Sequence, residues 1–329
     1  MKGMRFDNIF SIKDNDTFNK KALEIFHYQA SDNPVYKLFI EYLNIDISKI
    51  IYVEQIPFLP VEFFRDHRII TGGHSPAVVF ESSGTTGLRV SRHYVADTAL
   101  YRQSLLNAFN MFYGDPGDYM IAALLPSYTE RGNSSLVFMM DCLIRKSANP
   151  YSGFYSNDEK ALIAVLMKAK RDGMKIFLMG VSFALLDLAE KYSPDLSGAI
   201  IMETGGMKGR RKEITREELH SVLKEGFRVS HIHSEYGMTE LLSQAYSDGE
   251  GVFRSPPWMK ILIRDPHDPF SLMTKPGKSG GINVIDLANI YSCSFISTGD
   301  LGRMGVDGTF EVTGRFDNSD IRGCNLLFI

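Results

Sequence analysis

The sequence predicts an α/β protein: mostly parallel sheets flanked by helices, followed by a small β-rich subdomain. Short apolar runs alternate with amphipathic stretches of about 10 to 15 residues, the pattern of βαβ crossovers. A glycine and hydroxyl cluster, Ser82-Ser-Gly-Thr-Thr-Gly87, follows one apolar run directly. From about Gly251 the chain turns to short apolar segments broken by proline and glycine.

From Thr17 to about Leu43 apolar residues recur at helical spacing, and Asp32-Asn33-Pro34 must split that stretch. Two prolines in Ile56-Pro-Phe-Leu-Pro60 force an extended connection, and Ala77-Val-Val-Phe80 suits a buried strand. Tyr101, Leu105, Ala108, Phe109 and Phe112 then mark one face of a helix that Asp97 caps, and Tyr119 to Leu125 reads as a strand. Ser156-Asn-Asp-Glu159 has capping-box spacing and opens a helix through Leu162, Val165 and Leu166 that ends near Asp172-Gly173. A strand at Lys175 to Met179, a helix from Phe183 to Tyr192, a strand at Ala199 to Met202, a helix from Ile214 to Lys224 and an extended run from Arg228 to His233 follow. The β-rich part holds Ile261-Leu-Ile263, Ile282-Asn-Val-Ile285 and Ser294-Phe-Ile-Ser297.

Composition narrows the function. The 329 residues are 44% hydrophobic and 23% charged, as in an ordinary globular protein. A net charge of -3 gives no electrostatic reason to bind nucleic acid. The three cysteines, Cys142, Cys293 and Cys324, lack CxxC spacing, which argues against a zinc site and a disulfide framework and for a reducing interior. No segment reaches the roughly 18 apolar residues of a membrane span. A soluble, cytoplasmic protein is the expectation.

In Ser82 to Gly87 the glycines let backbone approach a ligand, and consecutive N–H groups with neighbouring hydroxyls make an anion nest. The string fits neither G-x-x-x-x-G-K-[ST] nor G-x-G-x-x-G. It also lacks a lysine; Arg89 and Arg92 stand just past it, as a source of charge or as a solvated turn. Pro126, Ser127 and Tyr128 end a predicted strand, where open sheets bind ligands. His231 and His233 alternate along an extended run and so share a face, either as a surface or packed pair or with one of them approaching a substrate carboxylate; with no third ligand they make no metal site.

Three further motifs occur in order: Ser234-Glu-Tyr-Gly-Met-Thr-Glu240, Ser297-Thr-Gly-Asp-Leu-Gly302 and Gly314-Arg-Phe-Asp-Asn-Ser-Asp-Ile-Arg322. With the glycine cluster they resemble the ordered signature of the adenylate-forming superfamily, which includes acyl-CoA synthetases. Within it the chain looks most like the LuxE-type acyl-protein synthetases, through Ile56 to Phe64, Leu125 to Leu136 and Gly314 to Cys324. Phenylacetate-CoA ligase is a more distant resemblance. The resemblance implies the N-terminal domain of an adenylate-forming enzyme, with a helical segment at 1–70, an α/β core at 71–250, a β-rich subdomain at 251–313 and a hinge-like stub at 314–329. It also implies ATP and Mg²⁺ as cofactors and activation of a carboxylic acid, fatty by the LuxE likeness, to an acyl-adenylate.

By that resemblance Ser82, Ser83, Gly84, Thr85, Thr86 and Gly87 cradle the leaving phosphates, and Gly205 and Gly206 lie along adenine. Tyr236, followed by Gly237, stacks on the base; Thr239 donates to the α-phosphate; Glu240 holds Mg²⁺. Asp300 accepts from the ribose hydroxyls and Arg315 supplies a cation. Pro126, Ser127, Tyr128 and His233 are candidates to line the acid pocket. Most of the superfamily carries a further C-terminal domain with a catalytic lysine, which has no counterpart before Ile329; Lys208, Arg210 and Arg211 are candidate substitutes. In acyl-protein synthetases the acyl group passes to the enzyme's own cysteine and then to a reductase partner, a role that falls on Cys324, with Arg322 beside it. Two alternatives stay open: a phenylacetate-type ligase with CoA as acceptor, and a nucleotide-binding scaffold without turnover.

Overall fold

The computed structural model describes residues 8–82, 90–125, 132–156, 158–206, 211–212 and 214–316. Ser83 to Gly87, Arg89, Pro126 to Tyr128, Lys208, Arg210, Arg322 and Cys324 lie outside the described residues.

The chain begins with α1 (Asn15–Asp32) and α2 (Pro34–Tyr42). Asn33 ends the first and caps the second, its side chain accepting from Val35 N and Tyr36 N, while Pro34 has no N–H to continue α1. The Asn33 amide also donates to Thr71 Oγ1 and to Ser292 O. On α1, Gln29 donates to Asn289 O and Ile290 O and accepts from Ser294 N. Buried polar bonds thus tie the N-terminal helices to a loop more than 200 residues later.

β1 (Leu59–Pro60), the short α3 (Phe63–Asp66), and the hairpin of β2 (Val78–Glu81) and β3 (Arg92–Val95) come next. The α/β part follows: α4 (Thr98–Tyr113), β4 (Tyr119–Leu124), α5 (Ser135–Ser147), β5 (Gly153–Phe154), α6 (Glu159–Arg171), β6 (Lys175–Val181), α7 (Ser182–Tyr192), β7 (Ile200–Thr204), α8 (Arg216–Phe227), β8 (His233–Tyr236) and β9 (Ala245–Ser247). Its sheet has the order β5-β4-β6-β7-β8-β9, parallel until β9 turns back. The last strands are β10 (Val252–Phe253), β11 (Met259–Arg264), β12 (Ser279–Asp286), β13 (Phe295–Met304) and β14 (Phe310–Arg315), ordered β10-β14-β13-β12-β11 and antiparallel. β1 adds to β13 in parallel, Leu59 opposite Ile296.

The parallel sheet is buried on both faces, as such sheets must be. Met120, Leu178 and Ile201 meet Leu162, Leu185 and Leu223 of the helices on one side. Ile121, Phe177 and Met202 alternate to the other side and join the larger core, which runs through α4 and α5 to the antiparallel sheet. α7 and α8 pack closely enough that a Cβ at Gly226 would sit 2.6 Å from Ala189 Cβ. Among the described residues no helix is long and apolar enough to cross a membrane.

Two local expectations are corrected. Asp158, not Ser156, caps α6, accepting from Ala161 N, because the helix begins only at Glu159. The run from Arg228 to His233 is not a strand: Arg228 closes α8 in the left-handed region at φ 57°, and pairing starts at His233. His231 lies before β8 and exposed, so it does not share a strand face with His233.

Candidate active site

β7 and β8 run side by side, Met202 opposite His233 and Glu203 opposite Ser234. Gly205-Gly206 and the segment from Gly237 to Glu240 therefore leave the sheet together at its carboxyl edge, where ligands bind in open sheets. Gly205 has φ +74°, and a Cβ built on Gly206 would meet nothing within 4 Å among the described residues. The main chain there presents a bare surface on which a flat ligand would fit.

Tyr236 is buried with its ring edge-on to Phe253 and Phe310, at centroid distances of 6.0 and 5.4 Å. Its hydroxyl donates to Asp300 Oδ2 at 3.0 Å, and Arg315 Nε lies 3.1 Å from Asp300 Oδ1. Asp300 and Arg315 are partners across the β13–β14 ladder, so the hairpin delivers acid and base together. Burial pushes the Asp300 carboxyl above its ordinary range, outweighing Arg315 and the Tyr236 hydroxyl. Arg315 leaves 77% of its side chain in solvent, free to turn toward an anion.

Thr239 and Glu240 sit on a segment held by its main chain. His93 Nδ1 donates to Thr239 O at 2.8 Å and Asn289 Nδ2 to Glu240 O at 2.7 Å. Asp286 accepts from Leu242 N, Ser243 N and Ser243 Oγ at 2.7, 3.0 and 2.6 Å. Burial pushes His93 down to about 4, so the ring is neutral, and the carbonyl it faces assigns the proton to Nδ1. The Glu240 carboxyl, 4% exposed, is pushed up by burial, with the Ser91 hydroxyl beside it pulling the other way. Ser91 in turn pairs with Ser82, which donates from N to Ser91 O while Ser82 Oγ accepts from Ser91 N, each at 3.0 Å. The stem of the glycine-rich loop thus reaches Glu240.

The sequence reading missed two neighbouring acids whose signal was a charge inside or beside an apolar strand run. Burial pushes the Glu203 carboxyl up, but His220 at 3.7 Å, Ser234 Oγ at 2.7 Å and Ser182 Oγ at 2.9 Å together hold it below the usual carboxylate range. Glu235 accepts from Thr204 Oγ1 at 2.7 Å, and burial raises it to about 7. A Cβ at Gly237 would come within 2.3 Å of Glu235 Oε1, so a larger residue there would displace that carboxylate oxygen. His233 Nδ1 stands 3.3 Å from the Tyr113 hydroxyl, and burial pushes this histidine down.

Of the expected sources of charge, Arg211 binds Glu190 and Asp187 on α7, whereas Arg92 pairs with Glu81 at 3.2 Å at the stem of the glycine-rich loop. Among the described residues no group of three His, Cys, Asp or Glu side chains can hold a metal. Glu240 offers one carboxylate, which suits Mg²⁺ only with phosphate oxygens completing its shell.

No protein-family model matches the chain, and no curated protein matches it in sequence. Solved structures do match it in shape. A 2-hydroxyisobutyryl-CoA ligase in its postadenylation state with R3-HIB-AMP is similar over 92% of this chain and 68% of its own, with a TM-score of 0.68 and 12% identity. ATP-bound MatB from Rhodopseudomonas palustris is similar over 74% of this chain, with a TM-score of 0.56 and 15% identity; this chain spans 49% of its length. A luciferase-like enzyme from the nonluminescent Zophobas morio mealworm is similar over 75% of this chain and 59% of its own, with a TM-score of 0.55 and 17% identity. At these identities the comparisons speak to architecture, and the chain has the α/β fold of adenylate-forming enzyme domains.

Proposed function

We propose that the chain activates a carboxylic acid with ATP. A carboxylate oxygen attacks the α-phosphorus, the bond to the bridging oxygen breaks, pyrophosphate leaves, and an acyl-adenylate forms. The observation that supports this most is the meeting of Tyr236, Asp300 and Arg315 in one hydrogen-bonded set. Attack of one anion on another needs fixed donors and positive charge at the site.

In this proposal Gly205-Gly206 and Tyr236 receive the base, Asp300 accepts from the ribose hydroxyls, and Arg315 turns its exposed guanidinium to the α-phosphate. Thr239 donates to that phosphate from a segment whose main chain is held by His93 and Asn289. Ser82 to Gly87 surround the departing phosphates, and Pro126 to Tyr128 with His233 line the acid pocket. Mg²⁺, held by Glu240, would supply charge neutralisation to the leaving group.

We assign the next step to Cys324, in keeping with the LuxE-type likeness: its thiolate attacks the acyl carbon, AMP leaves, and a thioester remains for a reductase partner. The other cysteines are unsuited to it, since burial pushes the Cys293 thiol up to about 12 and raises Cys142 as well. The acid is fatty on the same likeness. Carboxylate-dependent ATP–pyrophosphate exchange across a panel of acids tests the first step, and absence of exchange with every acid would refute it. Mass spectrometry then tests the second through a hydroxylamine-labile adduct on Cys324; an acyl group released only on adding CoA would refute it.

A further inference from the structure

An apolar groove opens between the segment joining α2 to β1 and the loop joining β11 to β12, with a volume of about 280 Å³. Leu43, Ile45, Ile56, Phe58, Phe270 and Leu272 give it apolar walls. Among the described residues its only charged lining group is the exposed Glu54, so the groove suits apolar side chains and not an ion. The surface around it is apolar too. Among the described residues eight large apolar side chains are exposed, and five of them, Leu38, Tyr42, Ile51, Tyr52 and Phe270, stand on α2, the segment after it and the β11–β12 loop. Exposed apolar side chains gathered on neighbouring elements mark a contact surface.

The last described residue, Phe316, lies close by. Its N–H donates to Gly299 O at 2.9 Å, and its ring centre is 5.3 Å from Arg264 Cζ. Arg264 Nη1 donates in turn to Asn283 Oδ1 at 2.9 Å, and Asn283 belongs to the groove's lining. Two side-chain contacts therefore connect Phe316 to the groove. Past Phe316 the sequence passes through a mostly polar stretch, Asp317 to Asn325, into four consecutive apolar residues, Leu326-Leu-Phe-Ile329. The chain from Phe316 to Leu326 reaches about 33 Å when extended, more than two side-chain contacts require. At about 30 Å³ per water-sized unit, the groove has room for about two of the four apolar side chains.

We propose that this groove is the docking site of the chain's own residues 326–329, which insert their apolar side chains between the α2–β1 segment and the β11–β12 loop. Residues 317–325, Cys324 among them, then form a loop tied down at both ends. The reading does not depend on the chemistry assigned to Cys324. A photoreactive benzoylphenylalanine in place of Phe328 of the full chain tests it, with cross-linked peptides mapped by mass spectrometry. A cross-link within one chain to residues 43–58 or 269–272 is expected, its yield unchanged on dilution. Leu326→Asp combined with Leu327→Asp leaves every described residue intact and should lower that yield about tenfold, and Leu272→Asp should do the same from the groove side. The proposal is overturned by the absence of a cross-link, by cross-links that map elsewhere, by cross-links formed only between two chains, or by a yield that either set of substitutions leaves unchanged.

Discussion

Replacing Glu235 with glutamine should stabilise the protein, and do so only above acidic pH. The folded carboxyl keeps its proton to about 7, whereas the unfolded chain releases it near 4.5. Between those values the folded state binds more protons than the unfolded state, so stability falls as pH rises through the window. Below 4.5 both states are protonated and nothing is lost; above 7 both are ionised and the whole cost of the buried charge is present. Each tenfold change in proton affinity is worth about 1.4 kcal/mol, so the cost is about 3 kcal/mol. Glutamine keeps an oxygen for Thr204 Oγ1 and carries no charge. Urea unfolding followed by the fluorescence of Trp258, the single and buried tryptophan, gives the stabilities of both proteins from pH 4 to 8. The glutamine variant should gain on the wild type between pH 4.5 and 7 and then hold a margin of about 3 kcal/mol. A difference that stays flat across that range would refute the assignment of a buried, late-titrating carboxyl.

Other substitutions test the remaining contacts. Tyr236→Phe removes the donor to Asp300 and should cost about 1 kcal/mol in urea unfolding, with weaker binding of a fluorescent ATP analogue. Asp286→Ala leaves Leu242 N and Ser243 N without their acceptor and should cost about 3 kcal/mol or more, seen as a lower unfolding midpoint. Gly226→Val forces α7 and α8 apart and should cost about 2 kcal/mol in the same assay. Arg315→Ala should leave stability within about 0.5 kcal/mol, its side chain being largely in solvent, while lowering pyrophosphate exchange.

Much of the fold was legible because its signals are local. Asn33-Pro34 broke the first helix where the sequence placed the break, and Asp97 capped α4 through Ala99 N and Leu100 N. The short apolar segments after Gly251 became β11, β12 and β13. What escaped depends on partners distant in the chain. β1 is an ordinary proline-flanked connection until Ile296 supplies its neighbour, and Asp286 is one more acid until Leu242 and Ser243 turn their amides toward it. α5 was not among the expected helices, although Ser134 caps it through Val137 N. At the site, motif order pointed to Tyr236, Asp300 and Arg315, which do touch. It could not point to Glu203 and Glu235, whose character comes from Ser182, His220 and Thr204 on other elements.

The fastenings on residues 239 to 242 take hold of carbonyl oxygens and amide hydrogens, which every amino acid other than proline carries. Leu241 is fully buried in the core, but the identity of the half-buried Thr239 side chain is thereby uncoupled from the path of the loop. Randomising position 239 should yield mostly folded proteins that differ in the chemistry they present at the carboxyl edge of the sheet while the scaffold stays put.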